Sequence, residues 1–307
     1  MRILFPAPFS ETWSFTEIDT PLPVPGAQEV LIRLHAVSLH APSRLPGISP
    51  LLTGVAGRIS DTGPAATRFR PGDEVFGLIN GGADGSYAEY ALARETELAF
   101  KPRELCYEAA AVTAATGLPA WQALAAARVS GRDRVLVHDG TGGTGSFAVQ
   151  LAKLRGATVI TTISSDADLD AAWSLGADQA INSSGQDFAA ILEQSIDVVI
   201  DTIGGRVLDS SFAVLAPGGR LVSAAGLPDP ARAAGRGIQS ARILPAADAF
   251  QLSELARLIT AQGMKAPPGP VFPLSTEGLR SAYELQASGK ARGNIAITIR
   301  QQEPGLQ

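Results

Sequence analysis

The residues whose types and spacing point most directly to chemistry are Gly140-Thr141-Gly142-Gly143-Thr144-Gly145. They stand behind the apolar run Val135-Leu136-Val137 and ahead of Ser146-Phe147-Ala148-Val149-Gln150-Leu151-Ala152. An apolar strand, a glycine-rich turn and a helix in that order aim the free N–H groups of a helix start at whatever lies beyond the strand end, and those groups attract negative charge. Gly140 permits the tight turn, Gly142 lets the backbone approach a pyrophosphate, and Gly145 lets helix and strand pack closely. A second apolar strand over 158–163 follows at the interval a dinucleotide-binding unit needs, so the loop is read as a dinucleotide site.

The position after that second strand separates the two common dinucleotides. A carboxylate there accepts hydrogen bonds from the ribose 2′-OH and repels a 2′-phosphate. Here the strand runs into Ser164 and Ser165, both able to donate to a phosphate, so NADP(H) is expected over NAD(H). Asp166 and the lack of a nearby Lys or Arg weigh against that preference.

The elements around the loop are legible from periodicity. Residues 29–38 alternate as a strand, with β-like pieces at 54–59, 74–77 and 88–92 between Gly/Pro turns. An Ala-rich helix covers 107–127. Strands at 134–138, 158–163, 198–201 and 220–224 then alternate with helices at 146–155, 169–175 and 208–215, which implies a parallel sheet with helices on both faces. Helices over 251–262 and 279–288 and a strand over 294–299 are expected to return to the first domain. Residues 228–237, rich in Ala, Arg, Gly and Pro, read as a loop.

Composition sets the limits. The chain has 307 residues, 45% hydrophobic and 18% charged, which is ordinary globular composition and about two domains in length. A net charge of -5 offers no basic footprint for nucleic acid. Cys106 is the sole cysteine, which excludes an intrachain disulfide and a cysteine-rich metal site. The start, Met1-Arg2-Ile3-Leu4-Phe5-Pro6, carries no uninterrupted apolar stretch, and no run is long enough to span a bilayer. A cytoplasmic protein with no membrane or nucleic-acid partner is expected.

Several motifs together resemble the medium-chain dehydrogenase/reductase superfamily, in its zinc-independent NADPH:quinone oxidoreductase-like branch. They are Val30-Leu31-Ile32-Arg33-Leu34-His35-Ala36-Val37-Ser38-Leu39, Phe69-Arg70-Pro71-Gly72-Asp73-Glu74-Val75-Phe76-Gly77, Gly85-Ser86-Tyr87-Ala88-Glu89-Tyr90, Asp197-Val198-Val199-Ile200-Asp201-Thr202-Ile203-Gly204-Gly205, Leu215-Ala216-Pro217-Gly218-Gly219-Arg220 and Gly289-Lys290-Ala291-Arg292-Gly293-Asn294. The resemblance runs over nearly the whole length. It implies an α/β chain in which a Rossmann doubly wound parallel sheet, 113–242, is inserted in a GroES-like partly open β-barrel catalytic domain, 1–112 and 243–307. It also implies an active site in the cleft between the domains. By the same resemblance Gly142, Gly143 and Thr144 face the pyrophosphate, Thr202, Ile203 and Gly204 the ribose region, Ala224, Ala225 and Gly226 the nicotinamide, and Asn294 reaches the cofactor. A homodimer is implied as well.

Zinc relatives of this family carry Cys and His ligands and a Gly-His-Glu segment, where this chain has Thr53-Gly54-Val55-Ala56-Gly57, so no zinc is expected. Without a metal, the chemistry most readily supported is direct hydride delivery to a quinone or an α,β-unsaturated carbonyl. His40, where the family commonly shows Asn, is the candidate proton donor or substrate-orienting group. Ser43 and Arg44 are candidate substrate-lining residues. His35 and His138 are expected to be structural. Pro119 stands where a threonine near the nicotinamide is common, and the segment 39–54 is short. These departures keep open a second reading, an NADP(H)-binding regulatory protein with little or no turnover.

Overall fold

The computed structural model describes residues 1–6, 13–39, 52–80, 87–266, 269–291 and 293–299. The chain divides into two units, Met1–Ala115 with Ala246–Gln307, and Thr116–Pro245. Each division falls three residues beyond the boundary expected from sequence.

The first unit is built on β1 (Arg2–Pro6), β2 (Phe15–Asp19), β3 (Glu29–Ser38), β4 (Leu52–Thr62), β5 (Glu74–Asn80), β6 (Tyr87–Ala88), β7 (Tyr90–Arg94) and β8 (Leu98–Phe100). β3 is buried along most of its length and pairs with β4 on one edge, while β7 and a late strand share its other edge. The expected strand over 88–92 is in fact two strands in different sheets. β6 pairs with β1, and β7 pairs with β3. Glu89 causes the break, because its carboxylate accepts from the Arg2 backbone N–H and Nε, both at 2.9 Å, while its carbonyl accepts from the Leu34 N–H at 2.9 Å. Leu4, Val30, Ile32, Val55, Tyr87 and Leu98 form the core of this unit.

The helix α1 (Tyr107–Ala126) contains Pro119 and belongs to both units by residue. The second unit then runs β9 (Arg134–Val137), α2 (Gly143–Leu154), β10 (Thr158–Ile163), α3 (Leu169–Ser174), β11 (Gln179–Asn182), α4 (Phe188–Ile191), β12 (Ile196–Asp201), α5 (Gly205–Val214), β13 (Leu215–Ser223), α6 (Pro230–Ala234) and β14 (Gln239–Arg242). Its sheet has the order β11-β10-β9-β12-β13-β14, with every pairing parallel. The chain builds outward from β9 to one edge and then from β12 to the other. The switch point therefore lies between β9 and β12, and a crevice outside the carboxyl ends of such strands is where ligands bind in this architecture. Leu136, Ile160, Val199, Phe212 and Leu221 form its core.

The expected loop over 228–237 holds α6. Asp229 caps it, accepting from the Ala231 N–H at 2.8 Å and the Arg232 N–H at 3.3 Å, and Pro230 enters the first turn where no N–H is needed. α7 (Ala249–Gln262), β15 (Val271–Pro273), α8 (Thr276–Ala287) and β16 (Ala296–Thr298) return to the first unit, where the sheet runs β15-β16-β3-β4-β5-β8 with β7 also on β3. Along the chain, a Rossmann unit is thus inserted between the two segments of the partly open barrel unit. No helix among the described residues is long and apolar enough to cross a membrane.

Candidate functional site

β9 is followed by His138, whose imidazole is wholly buried. Nδ1 lies 3.1 Å from the Thr162 hydroxyl and Nε2 2.8 Å from the Ser211 hydroxyl, with Phe188 edge-on at 4.8 Å. The neighbouring bonds settle the tautomer. Thr162 Oγ accepts from the Asp139 N–H, so its own proton goes to Nδ1, and Ser211 Oγ donates to the Val207 carbonyl, so Nε2–H donates to Ser211. Burial pushes the His138 pKa down to about 4 against the opposing pull of Asp201. The ring is a neutral strut joining β9, β10 and α5.

The chain next turns at Asp139, a non-glycine residue with φ of 53°. The glycines that follow are required by close approach. A Cβ on Gly140 would overlap the Thr161 hydroxyl, and one on Gly145 would overlap the Asp139 carbonyl, so strand, turn and helix are in backbone contact. Gly142 caps α2 with no side-chain hydrogen bond, which leaves the amides at the helix start open to a ligand. The Asp139 carboxylate lies against Gly142, in the space a Cβ there would occupy. Among the described residues it forms no hydrogen bond, and burial, with Asp168 nearby, pushes its pKa up to about 6.

At the neighbouring strand end, Asp201 is fully buried and accepts from the Ile203 N–H at 3.1 Å, the Gly204 N–H at 3.0 Å and the Ser223 hydroxyl at 2.6 Å. Ser223 Oγ in turn accepts from the Ala225 and Gly226 amides at 3.1 and 2.9 Å. Thr202 Oγ donates to the His138 carbonyl at 2.7 Å. Gly204, with φ of 78°, approaches Ala225 so closely that a Cβ would lie 3.3 Å from the Ala225 methyl. The turns after β9, β12 and β13 are therefore bonded into one ledge that carries Gly140 to Gly145, Thr202, Ile203, Gly204, Ala224, Ala225 and Gly226.

After β10, Ser164 is exposed and Ser165 caps a short 3-10 turn, its hydroxyl accepting from the Ala167 N–H at 3.2 Å. The Asp166 carboxylate, which weighed against a 2′-phosphate, accepts from Asn182 Nδ2 at 2.8 Å. Asn294 is half-buried in the first unit. His40, Ser43 and Arg44 lie outside the described residues. His35 stacks on Tyr107 at 4.2 Å, inside the first unit. That unit also holds a cavity of about 270 Å³, mostly apolar, lined by Leu34, Val55, Ile79 and Tyr87 with Thr53 and Asn80. Among the described residues no three His, Cys, Asp or Glu side chains gather as metal ligands would.

Asp139, beside the loop glycines, is the residue of the site that the sequence reading did not single out. The signal was available. An Asp wedged between the last strand residue and the first loop glycine marks a left-handed turn that Asp and Asn tolerate.

The family model for zinc-binding dehydrogenases matches residues 143–246. A probable mitochondrial zinc-binding oxidoreductase of Arthroderma benhamiae is 28% identical over 91% of this chain and 91% of its own length. A 2-methylene-furan-3-one reductase of Solanum lycopersicum is 29% identical over 94% of this chain and 78% of its own. The structure of the quinone oxidoreductase from Coxiella burnetii matches with a TM-score of 0.83 at 27% identity, covering 98% of this chain and 100% of that one. With a parallel sheet of Rossmann order bearing a glycine loop at its switch point, the chain belongs to the medium-chain dehydrogenase/reductase superfamily and is an oxidoreductase of the quinone-oxidoreductase-like type.

Proposed function

We propose that the chain is a zinc-independent, NADPH-dependent reductase of quinones or α,β-unsaturated carbonyls. The observation that carries this reading is the loop between β9 and α2. It stands at the switch point of the sheet and begins a helix whose amides no side chain caps. Gly140 and Gly145 have no room for a side chain, so the turn stays tight and the amide row stays open toward an anion.

The roles are the ones the family resemblance implies, given to residues that the ledge joins. The amides after Gly142 hold a pyrophosphate. Thr202, Ile203 and Gly204 line the ribose region, and Ala224, Ala225 and Gly226 present backbone to the nicotinamide. Ser164, exposed and uncharged, leaves space for a 2′-phosphate, and Ser165, whose oxygen already accepts from Ala167, still has its proton to donate. A bound reduced nicotinamide supplies the hydride. A quinone or conjugated carbonyl accepts hydride without a Lewis acid because its own electron deficiency draws the pair, and a proton from solvent or a side chain completes the product. The relative named as a 2-methylene-furan-3-one reductase supports this substrate class.

The test is a fluorescence titration with NADPH and NADH, followed by loss of reduced-nicotinamide absorbance on adding phenanthrenequinone, benzoquinone and simple enones. Tighter NADPH binding and acceptor-dependent oxidation are expected. Binding of either dinucleotide without turnover on any acceptor would replace the reductase by a dinucleotide-binding regulator. In the same assay His40→Ala reads out the proton donor suggested by the sequence.

A further inference from the structure

The dinucleotide reading leaves the Asp139 carboxyl without a task, although it lies inside the loop. It rests on Gly142, the residue that caps α2, and so stands at the start of the amide row that would hold the pyrophosphate. An acidic side chain at a helix start commonly accepts from the first amides and stabilises the helix. Asp139 does not, since among the described residues no donor reaches its oxygens. The backbone alone does not call for an acid either. A φ of 53° is met as well by Asn and better by Gly. What the carboxyl adds is a titratable proton.

Its surroundings favour the neutral form. From β10, Thr161 and Thr162 face the turn, with the Thr162 hydroxyl committed to His138 and the Asp139 N–H. From the 3-10 turn after β10, Asp168 adds a like charge. From β9, His138 is uncharged, and from β12, Asp201 is saturated by three donors. Among the described residues no cation acts on Asp139. A phosphate arriving at the amides of α2 would bring a further negative charge next to this carboxyl, and two anions at that separation cannot both be held cheaply in a partly buried loop.

We propose that Asp139 is a proton-dependent gate of the phosphate subsite: neutral, its O–H donates to a phosphate oxygen of the bound dinucleotide, and ionised, it opposes that phosphate. Binding then takes up one proton from solvent onto the Asp139 carboxylate, and the bound complex keeps it. The inference rests on the dinucleotide assignment made above. Because burial and Asp168 already raise this carboxyl to about 6, the uptake falls in the neutral range, where a cell can change it.

The experiment measures dissociation constants of NADH for the full chain between about pH 6 and about pH 8, in the wild type, Asp139→Asn and Asp139→Gly. NADH is the probe because its pyrophosphate does not titrate in this window, whereas the 2′-phosphate of NADPH does, near pH 6. Linkage of one proton weakens wild-type binding by about tenfold per pH unit above the free-state value, until the carboxyl of the complex itself titrates. Asp139→Asn keeps the turn and a donor but loses the slope, and Asp139→Gly loses it as well. Calorimetry in two buffers of different ionisation enthalpy, near neutral pH, shows uptake approaching one proton in the wild type and none in Asp139→Asn. Equal pH slopes in the wild type and Asp139→Asn, or flat wild-type binding, would overturn the gate while leaving the dinucleotide site standing. Failure of all three chains to bind NADH and of the wild type to bind NADPH at any pH would overturn the dinucleotide assignment, and the gate with it.

Discussion

Asp139 and Asp201 stand at the carboxyl ends of neighbouring parallel strands, β9 and β12, yet their surroundings differ in one respect that governs everything else. Asp201 is surrounded by donors. Two amides of its own turn and the Ser223 hydroxyl converge on it, and Ser223 passes the connection on to Ala225 and Gly226. Among the described residues no donor reaches the Asp139 carboxyl, which rests on a glycine instead. A buried carboxylate with its oxygens satisfied is a structural clamp, because its charge is offset by fixed dipoles that folding has already arranged. A carboxyl left without donors at a ligand-binding loop remains free to change protonation when something charged arrives.

The contrast is most sharply tested at Asp201. Asp201→Ala leaves the Ile203 and Gly204 amides and the Ser223 hydroxyl without their acceptor, and is expected to cost about 3–5 kcal/mol in urea unfolding. A loss below about 1 kcal/mol would remove the distinction between clamp and gate.

The next effect is a pair of opposed pH slopes. His138, at about 4 in the folded chain against its ordinary 6.5, takes its proton first in the unfolded state, so its contribution to stability is lost as pH falls from 6.5 toward 4. Asp139, at about 6 against its ordinary 3.8, contributes stability that is full below 3.8 and lost as pH rises through 6. Each slope is worth up to about 3 kcal/mol, and over the shared window they nearly cancel. Asp139→Asn should therefore gain stability steadily with pH between about 4 and about 6, His138→Gln should lose it, and the wild type should stay level. A wild type as steep as either variant would show that these neighbours do not oppose each other.

The smallest effect is at Ser223. Ser223→Ala removes one of three donors to Asp201 and the acceptor of two amides, for a cost of about 1–2 kcal/mol by the same unfolding measurement. A cost equal to that of Asp201→Ala would move the centre of the ledge from the carboxylate to the hydroxyl.

The sequence revealed the middle of the second unit far better than its margins. β9, β10, β12 and the end of β13, Leu221-Val222-Ser223, are mostly buried runs because both faces of a central parallel strand are covered. β11, Gln-Ala-Ile-Asn, has only Ile181 buried, and β14, Gln-Ser-Ala-Arg, has no residue fully buried, so neither edge strand carries an apolar signature. The glycine loop was legible because each glycine answers a steric demand. The lack of a donor to the Asp139 carboxyl among the described residues was not, since it depends on which groups β10 and the next strand end bring near. The split of β6 from β7 was hidden for a similar reason. Glu89 breaks the run by bonding to Arg2, a residue 87 positions earlier in the chain.

The position of β16 has a consequence for the order in which the protein is made. Ala296, Ile297 and Thr298 complete the edge of β3 at Ser38, Val37 and Ala36. The ribosome delivers every strand of the parallel sheet, through Arg242, before it delivers this one. Throughout that interval the end of β3, one of the most apolar strands of the chain, carries unpaired backbone groups that a neighbouring nascent chain could use as a template. The inserted arrangement thus makes the barrel half of the molecule the one that depends on protection during synthesis.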